Sequence, residues 1–175
     1  MRFALISILS FFFIMVNAQS FIYPSVNTKA KTISEFVPSG WVIHDSAAGD
    51  LNKDAVKDMV LVLQHKDSIT ITNSDGDTVV TQPRILLILL KNKTTNRYSL
   101  QEQSNSFILP HDNSLMDDPY QGISIKKGIL EIQFHLFYNA GSWHTTGSTY
   151  KFRFNNSKFI LIGAELSTIH RATLE

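Results

Sequence analysis

Two runs constrain what this chain can fold into: Met59-Val60-Leu61-Val62-Leu63 and Ile85-Leu86-Leu87-Ile88-Leu89-Leu90 contain no polar residue. A strand with one wet face alternates apolar and polar side chains, so the first run is too continuously hydrophobic for a half-exposed strand. It predicts a strand covered on both faces, and the second is a fully apolar strand of the same kind. Polar segments rich in Asn, Asp, Gly and Ser punctuate the rest. Lys91–Asn96 links the second run to Tyr98-Ser99-Leu100. Lys126-Lys127-Gly128 joins Ile123-Ser124-Ile125 to Ile129–Phe137 as a hairpin, and Asn155-Asn156-Ser157 turns the alternating Tyr150–Phe154 into Phe159–Ile162. Turns this short join antiparallel neighbours, because a parallel return needs a long crossover.

The fold expected is therefore mainly β (α+β): an antiparallel meander or sandwich of seven or eight strands. One short helix over Ala30–Phe36 is expected near the start, stopped by Pro38-Ser39-Gly40. Trp41-Val42-Ile43 reads as a short strand, and residues 30–175 as one domain, with residues 19–29 as a flexible lead-in. Ahead of that, Met1-Arg2 followed by the apolar run Phe3–Val16 and the small-residue site at Ala18 has the layout of a secretory signal peptide over residues 1–18. The expectation is an exported protein, periplasmic or secreted, whose mature chain does not insert in a membrane. Loss of Arg2 leaves 15 basic against 15 acidic residues, a balance that gives no support to a nucleic-acid partner. With no cysteine, an exported domain of this kind holds together by its core, with a metal as the further possibility.

Such a metal has one obvious place. Asp50-Leu51-Asn52-Lys53-Asp54-Ala55-Val56-Lys57-Asp58 spaces oxygen-bearing side chains at loop positions 1, 3, 5 and 9, directly before the first buried run. A hard cation such as Ca²⁺ takes six to eight oxygens at about 2.3 to 2.6 Å, and alternate side chains of a tight loop supply them. Asp50, Asn52 and Asp54 are the candidate side-chain ligands, Val56 offers a backbone carbonyl, and Asp58 closes the site. This stretch resembles the calcium loop of FG-GAP repeats, the blades of integrin α-subunit propellers. More broadly, Gly40-Trp41, this loop, Pro83–Leu87, Gly122–Ile125, Gly141-Ser142-Trp143, Tyr150–Phe154 and Leu161-Ile162-Gly163 together resemble uncharacterised exported bacterial proteins. The first resemblance implies a structural calcium ion; the second implies no activity. Position 6, where such loops favour glycine for a sharp bend, is Ala55, whose left-handed conformation costs about 1 to 2 kcal/mol. The competing reading is a turn that satisfies its own backbone and binds no ion.

Other constellations are thinner. Asn73, Asp75 and Asp77 repeat the alternate spacing without a later acid in register, which suits a hairpin turn. Asp112, Asn113, Asp117 and Asp118 form an acidic loop, and His135 with His144 and a distant partner is a possible zinc set. Glu131 and Glu165 could face one another as paired carboxylates. No nucleophile elbow, cysteine nucleophile or phosphate-cradling loop is present in the sequence. For recognition, Tyr138, Trp143 and His144 stand in a loop with small residues, a composition suited to stacking on a sugar ring or peptide if the rings are not core. Two functions follow as expectations. The first is an exported, non-catalytic domain stabilised by Ca²⁺, with a glycan or protein partner. The second is a carbohydrate-binding module or hydrolase that uses Tyr138–His144.

Overall fold

The computed structural model describes residues 21–72 and 76–173. The expected signal peptide and Asn73–Asp75 of the second candidate loop lie outside the described residues. Eleven strands build three antiparallel sheets. A five-stranded sheet combines β1 (Lys29–Ala30), β2 (Trp41–Gly49), β3 (Asp58–His65), β6 (Arg84–Lys91) and β7 (Tyr98–Ser104) in the order β1-β7-β6-β3-β2. A four-stranded meander holds β8 (Tyr120–Lys126), β9 (Ile129–Leu136), β10 (His144–Asn155) and β11 (Lys158–His170), and β4 (Ile69–Thr72) pairs with β5 (Thr78–Thr81) as a separate ribbon.

The two apolar runs become the adjacent central strands β3 and β6, and the strand pleat sorts their side chains. Val60 and Val62, cross-strand from Ile88 and Leu86, point to one side with Leu130, Ile132 and Phe134 of β9. Leu61 and Leu63, cross-strand from Leu87 and Ile85, point to the other, where Trp41, Phe36, Ala30 and Val26 cover them. The first cluster joins the two large sheets face to face. The second seals the outer face of the five-stranded sheet with the N-terminal segment. Residues 21–28 form no strand or helix, yet Phe21, Tyr23 and Val26 lie against this outer core.

The helix expected over Ala30–Phe36 does not form. Ala30 pairs with Tyr98 as part of β1, and only Ile33–Phe36 turns, as one turn of 3₁₀ helix fastened by Thr32 N–H donating to Glu35 Oε1 at 2.8 Å. Seven residues (31–37) separate that strand from Pro38, and the last of them is held out of the helical region by the proline, which leaves fewer than two α-helical turns. The expected count of seven or eight strands is also too low. The β4–β5 ribbon lies in a polar segment and its strands are only four residues each, although Ile69–Thr72 alternates, and β1 is two residues long.

Two hairpins use two-residue turns with left-handed residues at both positions: Lys127 and Gly128 between β8 and β9, Asn156 and Ser157 between β10 and β11. That backbone follows the right-handed twist of the flanking strands. No helix among the described residues is long and apolar enough to cross a membrane.

Candidate functional site

The Asp50–Asp58 loop connects the end of β2 to the start of β3 and closes on its own backbone. Asp50 Oδ1 accepts from Asp54 N–H at 3.1 Å and its Oδ2 from Ala55 N–H at 2.9 Å. Asn52 Oδ1 accepts from the same Asp54 N–H at 3.1 Å, and Asp54 Oδ1 accepts from Val56 N–H at 2.8 Å. Lys53 and Ala55 are both left-handed, with φ of 65° and 67°, so the bend falls at Ala55 despite its side chain.

Asp58 has a different task. It is fully buried and accepts from Leu51 N–H at 2.9 Å and Lys91 N–H at 2.8 Å, which ties the loop to the far end of β6. Burial pushes its carboxyl above the usual range, against the two N–H bonds and with the help of the Asp54 charge. The donors are hard oxygens of the right type for Ca²⁺: those of Asp50 and Asn52 meet at the Asp54 amide, and Asp54 Oδ2 accepts from Asn52 Nδ2 at 3.1 Å. Asp58 points to backbone instead, and among the described residues no three His, Asp or Glu side chains are gathered closely enough to hold an ion, so an ion in this loop would rest on Asn52 as well as on the acids.

The recognition loop lies elsewhere. Residues 137–143 join β9 to β10, and the β10–β11 register places His144 opposite His170. Trp143 is 68% exposed and stacks on His170 with the rings 17° from parallel at 6.2 Å; His144 meets the same ring edge-on at 5.0 Å. Arg171 fastens the loop: its backbone N–H donates to Trp143 O at 2.7 Å and its Nη1 to Tyr138 O at 2.7 Å, while its guanidinium lies 4.4 Å from the Phe137 ring. Beside these residues is a cavity of about 560 Å³ lined by Asn139, Gly141, Ser142, Trp143 and Arg171 among others, with no carboxylate lining it among the described residues. Tyr138 is half-buried at its edge, and Trp143 is not core. His170 and Arg171 were not legible as partners of the loop from local sequence. Extending the turn at Asn156-Ser157 back along both strands would have found them.

The remaining candidates disperse. His135 Nε2 pairs with Thr145 Oγ1 at 2.6 Å, whereas His144 faces His170. Glu165 is bonded to Lys151 Nζ at 2.5 Å, and Lys151 is the cross-strand neighbour of Glu131, so a cation stands where a carboxylate pair would have to meet. Asp117 accepts from Asn139 Nδ2 at 3.1 Å, and Asp118 pairs with Arg84. Comparison of the chain with family models, curated proteins and solved structures finds no match.

Proposed function

We propose that this chain is an exported, non-catalytic domain that recognises carbohydrate through the Tyr138–His144 loop and the end of β11. The observation that carries the reading is the exposed Trp143 ring, braced by His170 and set at the rim of a cavity whose other walls combine the amide of Asn139, the hydroxyl of Ser142 and the guanidinium of Arg171 with small residues. An aromatic face gives a sugar ring a large contact at low entropic cost, and the polar groups around it fix orientation. A ring this exposed does nothing for the core, so its placement calls for a ligand. That no carboxylate lines this cavity among the described residues favours binding over hydrolysis, and the signal-like leader supports export. Retention on immobilised polysaccharides tests the reading: the mature protein binds at least one, and Trp143→Ala does not. Equal behaviour of both proteins on every polysaccharide would refute it.

A second part of the proposal concerns Ca²⁺ in the acidic loop. Asp50 and Asn52 present oxygens to a single amide, and Asp54 adds its carboxylate beside them, which supports a structural ion held by these three residues. Asp58 is then the anchor of the loop to β6.

A further inference from the structure

A second polar site, a partly open cleft, lies where the end of β3 and the starts of β6 and β8 meet the β4–β5 ribbon. It is a cavity of about 230 Å³, lined among others by His44, Thr81, Arg84, His111 and Asp118. Its floor is built. The Arg84 side chain is 4% exposed, and four of its N–H groups are committed: Nε to Gln64 Oε1 at 3.1 Å, Nη1 to Leu109 O at 3.0 Å and Asp118 Oδ1 at 2.8 Å, and Nη2 to Asp118 Oδ2. A guanidinium has five, so one Nη2–H remains beside an Asp118 Oδ2 that accepts only from Arg84.

The walls offer the same unused capacity. The β2–β3 register steps from Ile43 to Asp45, which leaves His44 as the extra residue of a bulge, and bulges re-aim side chains. The His44 side chain has no hydrogen bond among the described residues, and its ring lies 5.7 Å from that of Tyr120. The bulge is held in place behind the cavity by Asp45, whose Oδ2 accepts from Tyr120 OH at 2.7 Å and Ile123 N–H at 3.3 Å. His111 Nε2 sits 2.7 Å from Met116 O. A carbonyl only accepts, so Nε2 carries the proton and Nδ1 presents a lone pair.

The chemistry selects a ligand class. Arg84 is neutralised by Asp118, so an anion finds no free cation. A metal finds no group of three His, Asp or Glu side chains among the described residues. The unused groups alternate donor and acceptor, which is what adjacent hydroxyls on a ring require. The volume falls below the range of about 300 to 1,000 Å³ usual for drug-sized ligands.

We propose that this cavity binds a small neutral polyol the size of one sugar ring, with one hydroxyl accepting from Arg84 Nη2–H and its neighbour donating to Asp118 Oδ2 or His111 Nδ1. The site is separate from the Trp143 loop and stands whether or not that loop binds glycan. The test follows the imidazole NMR signals of the mature protein during titration with glucose, myo-inositol and glycerol, with inorganic phosphate as the anionic probe. At least one polyol should shift the His44 and His111 signals saturably. His111→Ala and His44→Ala, both at exposed positions, should weaken that binding tenfold or more, and Trp143→Ala should leave it unchanged. No saturable shift with any of the three polyols, a response to phosphate alone, or binding indifferent to both histidine variants would overturn the proposal. So would binding that only Trp143→Ala removes.

Discussion

The Asp58 carboxylate accepts the backbone N–H of Lys91 at 2.8 Å, joining the first residue of β3 to the last residue of β6 although 33 positions separate them. Its other oxygen holds Leu51 N–H at 2.9 Å, so one fully buried side chain fixes the end of the central strand pair and the acidic loop together. Asparagine has one acceptor oxygen and one NH₂ group. Asp58→Asn therefore leaves one of these two N–H groups facing a donor, and the expected loss is about 1 to 3 kcal/mol, read as a fall in the urea midpoint. An unchanged midpoint would mean that neither bond matters to the fold.

Calcium is expected to raise the melting temperature relative to excess EDTA. At 100 times the dissociation constant the gain is about 2.7 kcal/mol, a shift of several degrees in a domain of this size. Asp54→Asn should abolish the difference. A melting temperature indifferent to Ca²⁺ would identify Asp50–Asp58 as a turn that satisfies its own backbone.

Gly49, the last residue of β2, approaches β8 so closely that a Cβ there would lie 2.4 Å from Ile125 Cγ2 and 2.8 Å from Ile125 Cβ. These atoms are near the root of a branched side chain and cannot simply swing aside. Gly49→Ala is expected to cost about 1 to 3 kcal/mol by overpacking, and Gly49→Ala with Ile125→Ala to cost less than the two separate losses added together. Additive losses in chemical denaturation would contradict the contact.

Asp118 sets an acid limit. Burial pushes its carboxyl up, but the Arg84 hydrogen bonds and charge, with the Tyr120 N–H at 3.0 Å, outweigh this and hold it below its ordinary value of 3.8. A carboxyl lowered by folding adds stability that is present above pH 3.8 and is lost as pH falls through the folded value. The stability difference between the native protein and Asp118→Asn should accordingly be constant above about pH 5 and shrink below pH 3.8. A difference independent of pH would contradict the ion pair as its source.

Much of the architecture was legible because β3 and β6 carry their burial in their composition. Strands without a polar residue have to be covered twice, and they are. The turns Lys127-Gly128 and Asn156-Ser157 announced themselves by residue type. The β4–β5 ribbon did not: Ile69–Thr72 alternates, but over four residues inside a polar stretch, and Thr78–Thr81 has two adjacent apolar residues instead of alternation. The short helix failed because local apolar spacing around Ile33 and Phe36 was outweighed by pairing of Ala30 with Tyr98, a contact 68 residues away in sequence. For the same reason Trp143 could be picked out but not its neighbours. His170 and Arg171 reach it only through the full register of a hairpin whose strands run 12 and 13 residues.

The most direct measurement is titration of intrinsic tryptophan fluorescence with soluble oligosaccharides. The two tryptophans report opposite environments, Trp41 at 5% exposure in the core and Trp143 at 68% on the rim. A ligand stacking on the loop should alter the red-shifted, quencher-accessible part of the emission saturably. In Trp143→Ala the saturable change should vanish while the melting temperature stays within about a degree of the native value, because surface substitutions of this kind usually lie within about 0.5 kcal/mol. An emission unmoved by every oligosaccharide, or a saturable change that persists in Trp143→Ala, would contradict carbohydrate recognition at this loop.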